Sequence, residues 1–217
     1  MFLLNPFVFS QSGGYALDPA KVKLLLHFDG NFNDSSPNNH AMTGGGNISI
    51  DATDTKFGSG KLRFGIEPRN GYLRTTNTFF NFGDNQPFTL CFWAKDGDGN
   101  GSYATAYPFV LSKGINFLFR KEPPLYDEWL FASFSVEDTP NWVHIAVVAD
   151  GSRIKGYLNG VQQFDIQHLN WPSENSLLQF GKDGGPYNNN GTLDEVLLYS
   201  EALWTSDFTP PDAPFTY

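Results

Sequence analysis

The chain has 217 residues, 40% of them hydrophobic and 16% aromatic, and its 23 Asp and Glu outnumber 14 Lys and Arg for a formal charge of −9. A chain of this length builds one sizeable core, and the acidic balance speaks against a nucleic-acid partner or an anionic membrane surface, since both rely on clustered Lys and Arg. Cys91 is the only cysteine, which excludes an intrachain disulfide, and no apolar run reaches membrane-spanning length.

Residues 1 to 20 form the first unit. Phe2, Leu3, Leu4, Phe7, Val8 and Phe9 surround Asn5-Pro6 and precede Gly13-Gly14, a pattern that predicts an apolar arm on a flexible joint. Left exposed, such a patch is poorly soluble, so it is expected to dock on its own sheet or on another subunit. The start lacks a basic region and a small-residue cleavage pattern, so no signal peptide is expected.

From residue 21 to 217 a single domain is expected, because no repeat or linker divides the chain and strand patterns follow one another with almost no helical periodicity. In VKLLLHF, alternation puts Val22, Leu24, Leu26 and Phe28 on one face. FTLCFWAK sets Phe88, Leu90, Phe92 and Ala94 against Thr89, Cys91, Trp93 and Lys95, with Cys91 as inert packing. WVHIAVVA, IKGYL and SLLQFG continue the series, and Tyr157-Leu158-Asn159-Gly160-Val161 predicts a hairpin whose Asn-Gly supplies the two positive φ values of a type I′ turn. Twenty-one phenylalanines against two methionines suit sheet faces filled by rigid aromatics. The expected fold is all-β: two antiparallel sheets packed face to face behind an extended N-terminal arm.

The last quarter, LLQFGKDGGPYNNNGTLDEVLLYSEALWTSDFTPPDAPFTY, runs from an apolar strand through a Gly/Asn-rich loop into the strand opening Leu193-Asp194-Glu195-Val196, then a Trp204/Phe208 segment and a proline-rich end. With NWVHIAVVADGSRIKGYLNGVQQF, it resembles the laminin-G-like branch of the concanavalin A-like jelly rolls, and most of all the versions carried by bacteriophage virion proteins. The resemblance covers about Val22 to Tyr217. It implies a non-catalytic structural or recognition protein on the surface of a capsid or tail, held to other virion proteins by the arm and contacting host glycans. A carbohydrate-binding module of a cellular protein is the alternative.

The resemblance also implies a structural Ca²⁺ between the end of the first strand and the start of the last, at Asp29-Gly30 and Asp194 with Asp34 nearby. The competing reading has Asp29 and Asp34 capping turns and Asp194 accepting backbone hydrogen bonds. A second, weaker calcium candidate is Asp96-Gly97-Asp98-Gly99-Asn100-Gly101, with oxygen ligands at Asp96, Asp98 and Asn100. Its twelfth position is Tyr107 where a bidentate Glu would complete the shell.

Catalysis lacks a pattern. Related jelly-roll glycosidases carry Glu-x-Asp-x-x-Glu, which this chain does not contain, and the adjacent pairs Asp127-Glu128, Glu137-Asp138 and Asp194-Glu195 would point to opposite faces of a strand. No Gly-x-Ser-x-Gly occurs, and His27, His40, His144 and His168 are too scattered for zinc. Sugar binding needs an exposed aromatic beside amides or carboxylates. Tyr126 and Trp129, Trp171, and Tyr187 with Asn188 sit in loops of that composition, although buried tryptophans at strand ends would read the same way.

Overall fold

A computed structural model of the chain describes residues 15–65, 71–76, 78–81, 85–96, 106–107, 115–116, 135–136, 141–167, 175–176, 178–181 and 191–217. Within them the elements are β1 (Val22–Leu26), β2 (Met42–Gly45), β3 (Ile48–Asp51), β4 (Lys61–Phe64), β5 (Tyr72–Thr75), β6 (Phe80–Asn81), β7 (Phe88–Asp96) and β8 (Ala106–Tyr107). They continue with β9 (Ile115–Asn116), β10 (Ser135–Val136), β11 (Val143–Ala149), β12 (Arg153–Leu158), β13 (Val161–Gln167), β14 (Asn175–Ser176), β15 (Gln179–Gly181) and β16 (Gly191–Tyr199). All are strands, as the alternating patterns predicted.

The large sheet runs β13-β12-β11-β7-β16-β4-β3, with β1 also paired to β16, and the smaller one runs β2-β5-β15-β8. Every strand pairing is antiparallel in both sheets, so the fold is the expected two-sheet sandwich. The main core lies between them. Phe88, Leu90, Phe92 and Ala94 from β7 meet Val143, Ile145 and Val147 from β11 and Leu73 and Phe180 from the small sheet, as their alternation requires.

A second core covers the other face of the large sheet. Cys91, Ala146, Val148, Leu25, Leu197 and Tyr199 point outward into it, and Leu17, Trp204 and Phe215 close over them. This is why β7, β11 and β16 are buried on both faces, whereas a sandwich alone would leave one face wet. One expectation for β1 fails here: Leu24, Leu26 and Phe28 enter the main core, but Val22 joins the outer one. The register shift between Val22 and Leu24 is the cause, since one slipped residue turns a side chain to the opposite face.

The chain after β16 forms the lid of that outer core. Asn159 (φ 49°) and Gly160 (φ 79°) make the predicted turn between β12 and β13, and Phe208 donates its backbone N–H to the Gly160 carbonyl at 2.9 Å. A Cβ at Gly160 would lie 1.8 Å from the Phe208 carbonyl oxygen, so the close approach needs glycine as well as the turn does. Trp204 and Phe208 stack at 3.9 Å with 4° between planes. The stretch 15–20, read from sequence as part of the arm, contributes a parallel bridge from Ala16 to Thr216 and the buried Leu17. Residues 1–14, the apolar part of the arm, lie outside the described residues.

Candidate functional site

Of the first set of metal candidates, Asp29 and Asp194 meet the β3–β4 loop along a seam between the first and last strands, and Asp34 lies in the turn after β1. Asp34 is buried, and its carboxylate accepts the backbone N–H of Leu25 (3.0 Å), Ser36 (2.8 Å) and His40 (2.8 Å) and the Ser36 hydroxyl (2.8 Å). It ties the turn after β1 back onto β1 itself. Asp29 accepts from the Ser59 and Gly60 backbone N–H groups, the latter at 3.1 Å, and from the Ser59 hydroxyl at 3.2 Å. Asp194, fully buried, accepts Lys56 N–H (2.9 Å) and Phe57 N–H (3.2 Å) on one oxygen and Glu195 N–H (2.9 Å) on the other.

One loop therefore serves two carboxylates. Lys56 and Phe57 face Asp194 while Ser59 and Gly60 face Asp29. Gly30 follows Asp29 with φ 81° and turns the chain away from β1.

A calcium shell needs six or more oxygens converging on one point. The residues present do not fit one. Asp29, Asp34 and Asp194 each receive N–H donors, and no cluster of three or more His, Cys, Asp or Glu side chains suited to a metal occurs among the described residues. In the second calcium candidate, Asp96 ends β7, and Asp98 and Asn100 lie outside the described residues. So do all five sugar-binding candidates, Tyr126, Trp129, Trp171, Tyr187 and Asn188.

Glu195 departs from its expected orientation. Strand alternation would set Asp194 and Glu195 on opposite faces, but β16 carries an irregularity between Asp194 and Leu197, and Glu195 adopts φ 52°. Both carboxylates consequently reach the outer side of the large sheet. Glu195 Oε1 lies 2.8 Å from His27 Nδ1, and its Oε2 accepts the Phe215 N–H at 3.3 Å. Its hydrogen bond, opposed by partial burial, raises the His27 pKa above its ordinary 6.5. Burial pushes the Asp194 carboxyl up to about 7 despite its three backbone donors. Sequence gave no sign of the His27 to Glu195 pair, because a bulge leaves no mark in a run of buried residues.

Beside Asp194 in the same cross-strand row stand Trp93 and His144. The Lys56 ammonium sits 3.7 Å from the centre of a Trp93 ring, and its desolvation lowers its pKa. His144 is enclosed by the rings of Trp93, Trp204 and Phe208, and burial lowers its pKa to about 3, so it is neutral packing. The Cys91 thiol is buried and its pKa is raised, which leaves it inert.

The comparisons with known proteins agree with this architecture. The sequence profile of the laminin-G-type family described as the concanavalin A-like lectin/glucanases superfamily matches residues 64–207. Among curated proteins, no sequence matches. Domain 4 of AbnA, an extracellular arabinanase from Geobacillus stearothermophilus, solved in complex with arabinotriose, superposes with a TM-score of 0.59 at 20% identity, covering 85% of this chain and 94% of that one. The binding domain of Paraclostridial Mosquitocidal Protein 1 gives 0.67 at 18% identity, covering 86% of this chain and 50% of that one. The receptor binding domain of botulinum neurotoxin D gives 0.63 at 13%, covering 86% and 50%. The chain thus spans about half the length of these toxin binding domains. At such identities the likeness is one of fold.

Proposed function

The chain belongs to the concanavalin A-like lectin/glucanases superfamily, and from that membership we propose that it is a non-catalytic glycan-recognition domain. The observation that carries this reading is the use made of the seam carboxylates. Asp29, Asp34 and Asp194 accept backbone N–H groups and Glu195 is held between His27 and Phe215, so each stabilises the fold. A glycosidase needs two carboxyl groups facing one cleft across the scissile bond, one free to give up a proton and one free to attack or to activate water. The arabinotriose bound to the domain of the arabinanase supports carbohydrate as the ligand class.

The finer reading is that the domain belongs to the surface of a bacteriophage particle, as a capsid decoration or tail-associated subunit. The resemblance of the Asp194-Glu195 strand and the closing Phe-Thr-Pro-Pro tail to virion proteins supports it, and so does the apolar N-terminus, which suits docking on a neighbouring subunit. The aromatics Tyr126, Trp129, Trp171 and Tyr187, with Asn188, in stretches whose composition reads as loop, are the candidate contacts to host sugars.

A glycan array probed with the full chain, paired with turnover assays on each retained glycan, tests recognition. Retention of defined glycans without their cleavage is the expected result, and hydrolysis of any retained glycan would overturn it. Deleting residues 1–14 tests placement: the truncated chain is expected to fold and to fail to join the particle.

A further inference from the structure

The small sheet turns a set of partly exposed polar and aromatic side chains away from the main core. In β5, Leu73 and Thr75 point into the sandwich and are fully buried, so Tyr72 and Arg74 point out. Register extends this to the neighbouring strands. Thr43 in β2 and Gln179 in β15 flank Arg74, and Gly45 and Gly181 flank Tyr72. One row therefore reads Thr43, Arg74, Gln179, and the next reads Gly45, Tyr72, Gly181.

The two rows differ in a useful way. The glycines on either side of Tyr72 leave its aromatic ring as the only side chain of its row on these three strands. The ring leans across Gly45, where a Cβ would come within 2.6 Å of it, so glycine there is what lets the ring lie down against the sheet. The Arg74 guanidinium stands 5.2 Å from the ring centre. Gln179 anchors its amide nitrogen on the Gly181 carbonyl at 2.9 Å, which leaves its own carbonyl oxygen turned to other partners.

Among the described residues, neither the Arg74 guanidinium, the Tyr72 hydroxyl nor the Thr43 hydroxyl has a hydrogen-bond or ion-pair partner. That is unexpected for arginine in a chain with 23 acidic residues, since Lys21, Lys61, Arg63, Lys95 and Arg153 all find carboxylates. Arginine offers five N–H donors in a rigid fork. Here they stand beside an aromatic ring, two hydroxyls and an amide carbonyl, all half-buried on one face of the sheet.

We propose that this face, formed by Tyr72, Arg74, Gln179 and Thr43, is a glycan-binding site, with a sugar ring packed against Tyr72 and its hydroxyl or carboxylate oxygens accepting from Arg74. The inference rests on the glycan-recognition reading above and gives it a place in the fold. A sugar ring has an apolar face for the tyrosine and equatorial oxygens spaced for a row of polar side chains across adjacent strands, about 4.8 Å apart. Gln179 accepts from, and Thr43 exchanges hydrogen bonds with, the hydroxyls that Arg74 leaves.

The test begins with the full chain on an array holding neutral oligosaccharides and oligosaccharides containing uronic or sialic acids, followed by titration of the best-retained glycan. Tyr72→Ala and Arg74→Gln are each expected to weaken binding about tenfold or more, and Tyr72→Phe to retain most of it. Melting curves check that the variants fold. If Tyr72→Ala unfolds, Arg74→Gln decides, because the Arg74 side chain is only partly buried and has no hydrogen-bond or ion-pair partner among the described residues. A glycan that the parent chain binds and both variants bind equally well overturns this site and leaves the glycan reading standing. A parent chain that retains no glycan overturns both. If Arg74→Gln weakens only the acidic glycans, the site is assigned to carboxylated sugars; an equal loss on both sets assigns it to hydroxyl recognition.

Discussion

His27 Nδ1 lies 2.8 Å from Glu195 Oε1, joining the residue that follows the first strand to the bulge of the last, and the same carboxylate takes the Phe215 N–H of the closing segment. A carboxylate that is only 1% exposed holds three parts of the chain, its His27 partner lying 168 residues away in sequence.

The pair gives stability a pH dependence. His27 has a raised folded pKa, so its contribution is fully present below about 6.5 and is lost as pH rises through the folded value. Asp194 acts in the same direction, since it keeps its proton in the folded state up to about 7 while the unfolded chain releases it near 3.8. Melting temperature is therefore expected to fall between pH 5 and pH 9, and His27→Gln to flatten the part above 6.5. A parent protein that gains stability across this range would contradict the assignment.

Asp34 is the most heavily used acceptor of the seam, taking three backbone N–H groups and one hydroxyl. Asp34→Ala leaves buried donors unpaired and is expected to cost about 3 kcal/mol or more in denaturant unfolding. Asp34→Asn, which keeps one acceptor oxygen, should cost less. Equal stability of all three proteins would show that water replaces the carboxylate.

The closing segment is part of the core rather than a tail. Phe215 is 1% exposed among Leu25, Leu197 and Trp204, so Phe215→Ala is expected to cost about 3–5 kcal/mol. Gly160→Ala strains a positive φ and drives a methyl into the Phe208 carbonyl, so it should destabilise the same segment. Faster hydrogen exchange confined to residues 204–217 in Gly160→Ala would identify that coupling, and exchange unchanged there would refute it.

Backbone N–H donors already partner the carboxylates of Asp29 and Asp194. Melting curves in excess calcium and in chelator are expected to coincide. A ligand bound only by the native state would raise stability as RT ln(1 + [Ca²⁺]/Kd), so separated curves that merge in Asp194→Asn would restore a metal to the seam.

Much of the fold was legible along the chain because β-structure writes itself as alternation. FTLCFWAK placed four residues in the main core, and Asn159-Gly160 marked its turn, since both rules act within a few residues. Val22 and Glu195 escaped them. A bulge changes the facing of every residue beyond it without changing the hydrophobic pattern when both faces are buried.

The seam was half legible. Asp29 and Asp194 were singled out along the chain and share one loop in the fold, but which partner each would take, a cation or an N–H, was not legible. That choice depends on where the Lys56–Gly60 loop falls, and loop position is set by contacts far away in sequence. The outer face of the small sheet shows the same division. SLLQFG announces a strand, yet only the register between β5, β2 and β15 brings Arg74 between Thr43 and Gln179 and sets Tyr72 between two glycines. Away from the bulges, sequence by itself determined which residues turn inward, because burial of apolar surface is a local demand repeated along each strand. Tertiary structure alone decided which outward residues became neighbours, because strand pairing joins segments that the chain keeps far apart.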